Sequence, residues 1–466
     1  MGNKTIDLGR DKVGLLLVKL ALPAIIAQIV NVLYNIVDRM FIGRTADGAL
    51  AMAGVGVAFP LIIIVSAFSA LIGMGGAPLA AIKMGKKDND GAEKILSNSF
   101  SVLIILSIIL TVSLLIFREP ILWAFAASPE TIDYAMDYLT IYLIGTIFVE
   151  VALGMNPFIN TQGFAKISMT TVLIGAVMNI VLDPILIFGF NMGVKGAALA
   201  TVISQMVSAI WVLKFLFGKK STLKIRKKYL MPELKVIFPI LALGISPFIM
   251  QSTESLVLIS LNNKLLQYGG ALAVSAMTIM SSIMQIVMLP LQGLSQGGQP
   301  IISYNFGAKN IDRVKKTFKL LLICCLTYTI AMCVALMLFP SLFVKIFNSD
   351  PKLIEITSWS IRIYFAGAFM LGAQIACQQT FLALGQAKIS LVLALLRKVI
   401  LLIPLIFILP TFMSEKLRAV LLAEPIADII AALTTIICFI IFYKKILTPL
   451  KEENNVDNNL DKAVSN

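Results

Sequence analysis

Residues 20–43 read LALPAIIAQIVNVLYNIVDRMFIG. The stretch is apolar enough to cross a bilayer, yet Gln28, Asn31, Asn35 and Asp38 interrupt it at spacings of 3, 4 and 3 residues. Those spacings fall on one face of a helix. A carboxylate at the bilayer centre costs about 2.5–3.5 kcal/mol on insertion scales. The polar stripe is therefore expected to face a protein interior or a water-filled cavity, and Asp38 becomes the first functional candidate.

The whole chain fits that reading. Its 466 residues are 58% apolar and 14% charged, with a mean hydropathy of +0.91. A soluble chain carries about 25% charged residues, so this is expected to be a polytopic, all-α membrane protein with the lipid bilayer as its surroundings. The net charge is +14, but the basic residues cluster between apolar runs and form no aromatic-interleaved patch. Topology explains that pattern better than nucleic-acid binding. Cys324, Cys325, Cys333, Cys377 and Cys438 lie in apolar runs without a CxxC pair, and the chain has no histidine. Structural zinc, histidine-ligated haem and a disulfide framework are disfavoured, and no cofactor is expected. Residues 1–14 are polar and carry no cleavable signal pattern, so the first apolar run is expected to be retained.

Apolar runs fall at 15–41, 52–82, 95–117, 133–158, 167–190, 196–217, 236–262, 271–297, 315–340, 353–384, 389–412 and 417–443. Each is long enough to span a hydrocarbon core of about 30 Å. Twelve spans place both termini on one side. The connections on that side hold Lys83, Lys86, Lys87, Lys166, Lys219, Lys220, Arg226, Lys227, Lys228, Lys309, Arg313 and Lys388. The alternate connections hold fewer, such as Arg44, Arg118, Lys345 and Lys416. Both termini are therefore expected in the cytoplasm. The organisation read from this is a six-helix lobe over 1–217, a linker over 218–235, a second six-helix lobe over 236–445 and a disordered tail over 446–466.

The halves repeat. GGAPLAAIKMGKK at 75–87 matches GGQPIISYNFGAK at 297–309, a displacement of 222 residues. The same displacement pairs GALA at 48–51 with GALA at 270–273, and Gly163, Ala165 and Lys166 with Gly385, Ala387 and Lys388. An even number of spans per copy gives both lobes the same topology, related by a pseudo-twofold axis along the membrane normal with a cavity between them. The GG-x-P and G-x-K pieces read as a helix end and a tight turn where spans two and eight finish.

Few charges fall inside spans, so each can be weighed. Asp183 in span five has Asn179 four residues before it and Pro184 after it. The spacing puts amide and carboxylate on one face, and the proline leaves a carbonyl of the preceding turn without its donor. Three oxygen ligands suit Na⁺ or proton exchange. A proline-kinked helix with an interfacial acid is the competing reading. Glu150 in span four stands alone, with a basic partner from another span as its structural alternative. Gln251 and Glu254 share a face of span seven, as coupling or substrate residues or as a polar helix contact. Glu424 and Asp428 flank Pro425 in span twelve and are read as structural partners of Arg397 and Lys398 in span eleven. Met280, Met284 and Gln285 in span eight, with Gln28, Asn31, Tyr34 and Asn35 in span one, could form the adaptable wall of a promiscuous pocket. Ordinary packing explains a Met stripe as well. No nucleophile elbow, zinc motif, Walker sequence or dinucleotide fingerprint appears, which disfavours an enzyme and leaves transport to draw on a gradient.

Twelve spans in two copies, LALP with the acid of span one, MGGAP followed by G-x-K, GFAK at 163–166 and N-x-x-x-D-P in span five resemble multidrug and toxic compound extrusion (MATE) transporters. The likeness covers residues 10–445 and leans to the DinF/MepA-like branch. It implies an antiporter in a bacterial cytoplasmic membrane, coupled to transported Na⁺ or H⁺, that exports amphipathic, often cationic drugs as a monomer by rocking its lobes. Carried over by position, Asp38, Asn179, Asp183 and Thr201 would form the ion site, with Asp38, Asn179 and Asp183 as Na⁺ ligands if sodium is the ion. Glu254 matches the span-seven acid of the NorM-like branch, but span ten lacks that branch's second acid. A flippase for a lipid-linked sugar is the rival reading, and it should line its cavity with arginine or lysine. A channel would repeat its polar ring in both halves, and here the acids are not repeated.

Overall fold

The computed structural model describes residues 6–45, 47–125 and 127–450. Among them there is no strand. In hydrocarbon every backbone amide must find its partner within the spanning element, which makes the helix the default for runs this apolar.

Span one is Val13–Ile42, span two Gly48–Gly85 and span three Asn89–Ala124. Span four is broken, Ile132–Ile144 and Thr146–Thr161 meeting at 59°. Span five, Ala165–Gly189, finishes in a π-helical turn from Ile185 that begins where Pro184 withdraws its N–H. Span six is Val194–Leu216. The continuous helix Leu234–Gly307 holds spans seven and eight, broken at Gly270 with φ 67°. Span nine is Ile311–Leu338, and span ten is a second broken pair, Pro351–Tyr364 and Ala368–Ala383, bent by 49°. Span eleven is Ala387–Phe412 and span twelve Lys416–Leu450. With each bent pair taken as one span and the long helix as two, the described residues form twelve.

Many apolar side chains point outward, including Ile105, Ile108, Ile109, Val112 and Ile116 of span three. That inversion of the soluble pattern is the lipid face.

The repeat is visible in the backbone. Lys87 and Lys309 both sit at positive φ, 60° and 58°, one residue beyond the helix cap. The amide after each reaches five residues back: Asp88 to the Lys83 carbonyl at 2.9 Å and Asn310 to the Asn305 carbonyl at 2.8 Å. Gly163 and Gly385 likewise share positive φ, 86° and 72°, in the turn that joins two spans.

The duplicated glycine pair is not a helix end. Gly75, Gly76, Gly297 and Gly298 lie within spans two and eight, and the turn begins ten residues later at Gly85 and Gly307. The small size of Gly75 and Gly297 serves the contact between the lobes. A Cβ on Gly75 would strike the Ile240 carbonyl, one on Gly244 the Leu71 carbonyl, and one on Gly297 the backbone of Ala21. Gly85 and Gly307 abut Tyr304 and Ile82 in the same way. These approaches let the lobes meet backbone to backbone.

All of them lie in the half of the molecule that holds the described ends of the chain. The Asn160 amide adds a bond to the Gln296 carbonyl at 2.7 Å. Asn305 donates to the Leu8 carbonyl at 2.9 Å, and Arg313 donates to the Leu8 and Asp11 carbonyls at 3.1 and 2.7 Å. The segment before span one is thereby fastened to the second lobe, its Ile6 and Leu8 packed against Tyr304 and Leu320. A ring contact between Phe68 and Phe248, centroids 4.9 Å apart, joins spans two and seven. Beyond it Asn35, Gln251, Glu254 and Gln285 are exposed. The lobes are closed at the end carrying the described ends of the chain, and toward the other end these polar side chains are open to the surroundings.

Residues 218–235 are held against span three and the end of span four. Arg226 pairs with Glu93 at 2.8 Å, Asn98 donates to the Tyr229 carbonyl at 3.0 Å, and Gln162 accepts from Leu223 N at 2.8 Å. Helix continues to Leu450 through a π-helical turn at Tyr443–Leu447, past residue 446 where the tail is expected to start. Residues 451–466 lie outside the described residues.

Candidate ion and substrate site

The first lobe gathers four of the sequence candidates. Asp38 on span one is 8% exposed, and Asn179 and Asp183 on span five are 1% and 0% exposed. The Asn179 amide donates to Asp183 Oδ1 at 3.2 Å, as their four-residue spacing predicts, and to Thr201 Oγ1 on span six at 3.4 Å. The carboxyl groups of Asp38 and Asp183 face each other within hydrogen-bonding reach. Tyr138, buried on span four, closes the group by its contact with Thr201. Its ring stacks on Tyr142 at 6.4 Å.

This arrangement leaves oxygen without hydrogen. Asp38 Oδ1, Asp183 Oδ2 and Asn179 Oδ1 are all buried with no donor. Buried acceptors are ordinarily satisfied, and two carboxylates in contact repel, so a proton or a small cation would satisfy these oxygens. Among the described residues no three His, Cys, Asp or Glu side chains form a cluster suited to a metal. The donor set here is two carboxyls, one amide oxygen and one hydroxyl, which suits a hard monovalent ion or a proton better than a transition metal.

The substrate candidates divide. On span one Gln28, Asn31 and Tyr34 are half-buried and Asn35 is exposed, its amide bonded to the Asn31 carbonyl at 2.6 Å. Tyr34 lies near Asp38 and Asp183, which links this wall to the ion site. Glu150 is fully buried beside Ser69 and Tyr142, both its oxygens lacking a donor, and no basic partner reaches it among the described residues. The ion pair that was the structural alternative for Glu150 is therefore absent among the described residues.

In the second lobe, Met280 is 1% exposed inside the hydrophobic cluster with Met277, Ile283 and Leu371, where it packs the lobe. Met284 packs partly against that cluster, and Gln285 is exposed. Gln251 and Glu254 are exposed on span seven. Arg397 pairs with Asp428 at 2.7 Å and Glu424 at 3.3 Å, as read from sequence. Lys398 departs from that reading, since it pairs with Glu254 and also donates to the Met250 carbonyl at 3.3 Å. Sequence spacing could not find this contact, which joins residues 144 apart on two spans. Tyr138 was missed as well. A tyrosine in an apolar run gives no signal of its own.

Comparison with known proteins places the chain. The MatE family model matches residues 23–185 and again 245–408, one copy per repeat. The multidrug export protein MepA of Staphylococcus haemolyticus (strain JCSC1435) is 28% identical over 414 residues, covering 88% of this chain and 90% of that protein. MepA of Staphylococcus aureus (strain N315) is 27% identical over 415 residues, covering 89% and 91%. Among solved structures, a MATE transporter in the bent conformation superposes with a TM-score of 0.89 at 22% identity, covering 97% of this chain and 99% of that one. A transporter of the MOP superfamily from Pyrococcus furiosus, described by the reverse polarity of its binding pocket, superposes with a TM-score of 0.88 at 22% identity, covering 97% and 99%. These likenesses agree with a duplicated twelve-span chain, and the protein belongs to the MatE family of membrane transporters.

Proposed function

We propose that the protein is a cation-coupled multidrug exporter of a bacterial cytoplasmic membrane, moving amphipathic, often cationic compounds out by alternating access. The observation that carries this reading is the buried meeting of Asp38 and Asp183 beside Asn179 and Thr201, with three oxygens lacking donors. Span one brings Asp38 to that meeting, and the same span carries Gln28, Asn31, Tyr34 and Asn35. A proton or Na⁺ entering the site removes the repulsion between the carboxyls and tightens span one onto span five. The wall that would hold a drug moves with it.

With both termini in the cytoplasm, as the distribution of lysine and arginine supports, the described state is closed inward and open outward. Ion binding in that state would expel drug, and reopening at the cytoplasmic end would release the ion. The equilibrium shifts because the ion binds the two states with different affinity. The two six-helix lobes, 1–217 and 236–445, are the rocking bodies in this scheme, joined by 218–235, and one chain suffices. The relatives named multidrug export proteins support drug as the cargo. The basic residues a lipid-diphosphate flippase would need are engaged elsewhere: Arg397 and Lys398 on carboxylates, and Arg39 over the Phe59 ring at 4.7 Å.

The test is dye efflux from cells expressing wild type, Asp38→Asn or Asp183→Asn, with insertion checked for each. Export of ethidium by wild type and its loss in both variants is expected. Normal export by both variants would remove the acids from the mechanism, and no export by wild type would remove drug as the cargo.

A further inference from the structure

The second lobe holds a charged cluster that ion coupling through Asp38 and Asp183 leaves unused. Its members are Glu254 on span seven, Arg397 and Lys398 on span eleven, and Glu424 and Asp428 on span twelve. Two consecutive basic residues both reach into the lobe, although neighbours on an α-helix point about 100° apart. The reason is local. Residues Leu396–Leu402 form a π-helical turn, whose wider coil narrows that angle, and such turns recur at functional sites.

The cluster is one cation short. Three carboxyl groups stand against two cationic heads. Arg397 serves Asp428 through Nε at 2.7 Å and Glu424 Oε1 at 3.3 Å. The other oxygen of Glu424 is buried without a donor, in a residue 5% exposed. Lys398 interacts electrostatically with Glu424 as well as pairing with Glu254. The two ends of the Lys398–Glu254 pair also differ in access: the lysine side chain is 10% exposed and the glutamate 53%. Glu254 is therefore reachable from outside the lobe, on the side beyond the Phe68–Phe248 contact, while the lysine approaches it from inside the lobe.

We propose that Lys398 is a tethered occupant of a substrate cation subsite on Glu254, displaced by the charged head of a lipophilic cation. Its ammonium group then moves to the vacant oxygen of Glu424, and the cluster becomes three cations against three carboxylates. Lys398 is thus a specificity-determining residue. It sets a threshold that a cation must pass, and it places no such demand on a neutral ligand. The exposed carboxylate and the buried, unsatisfied one are the two ends of its travel. This inference rests on the proposed export of cations.

The experiment measures equilibrium binding of tetraphenylphosphonium, and of neutral triphenylphosphine oxide, to the full-length protein in lipid nanodiscs. Lys398→Met is expected to tighten tetraphenylphosphonium about tenfold, the scale of one removed ionic competitor, and to leave the neutral probe unchanged. Lys398→Arg retains the competitor and should restore wild-type affinity. Glu254→Gln should weaken tetraphenylphosphonium, and adding Lys398→Met to it should give no further gain. Lys398→Gln repeats the charge removal with a polar side chain should the methionine variant not fold. Unchanged or weaker cation binding in a folded Lys398 variant, or an equal change for both probes, overturns the proposal while leaving export intact. Failure of wild type to bind tetraphenylphosphonium overturns both.

Discussion

Asp38 and Asp183 face each other carboxyl to carboxyl across spans one and five, with one oxygen on each buried and without a donor. Neither acid could be kept there for packing alone, because an unpaired intramembrane charge is costly and two adjacent ones repel. In the proposed mechanism the pair is the place that an ion enters and leaves.

If Na⁺ is that ion, it should stabilise the folded protein by mass action, by about 2.7 kcal/mol at a hundredfold excess over its dissociation constant. Thermal unfolding in detergent with Na⁺ replaced by K⁺ should then lower the midpoint in wild type. Asp183→Asn and Asn179→Ala should show no Na⁺ effect. A midpoint indifferent to Na⁺ but sensitive to pH in wild type would assign the site to protons.

Gly244 sets how closely the lobes close, since any side chain there meets the Leu71 carbonyl. Gly244→Val should separate spans two and seven at the closed end, with an overpacking cost of about 1–3 kcal/mol. Spin labels replacing Leu79 and Ile389 should report a longer distance and slower export. An unchanged distance would show that the contact adapts.

Arg313 fastens the segment before span one by two bonds to backbone carbonyls. A hydrogen bond from a charged donor contributes about 1.5–3 kcal/mol. Arg313→Ala should therefore raise hydrogen exchange across residues 6–12 and shift the population away from the state closed at this end. Exchange equal to wild type would mean that Ile6 and Leu8 hold the segment by packing.

At the start of span three, the Lys83 ammonium, bonded at 2.7 Å, and then the Gly91 amide at 2.8 Å hold the Asp88 carboxyl below its ordinary range. A depressed carboxyl stabilises the fold above its unfolded-state value near pH 4, and the stabilisation is lost as pH falls through the lower folded-state value. Asp88→Ala should lower the unfolding midpoint at pH 7 by the loss of a helix cap, about 0.5–2 kcal/mol. The gap to wild type should narrow toward pH 3. A pH-independent gap would contradict the charged cap.

Sequence by itself determined the fold class, because a hydrocarbon solvent permits few answers. Twelve apolar runs must be helices, and the repeat of GALA, GG-x-P and G-x-K at one displacement makes two lobes of the same topology. Asp38 and the Asn179–Asp183 pair were legible for the same reason: an acid in such a run is too costly to be incidental. Tertiary structure decided what depends on distance between separate spans. It set Asp38 against Asp183, placed Met280 in the core, and turned the glycine pair from a helix end into a lobe contact. It also gave Lys398 to Glu254 rather than to the acids of span twelve. Helical period fixes which residues share a face, but which faces meet is settled by packing across the lobe, and a π-helical turn moves Arg397 and Lys398 off the faces that period assigns.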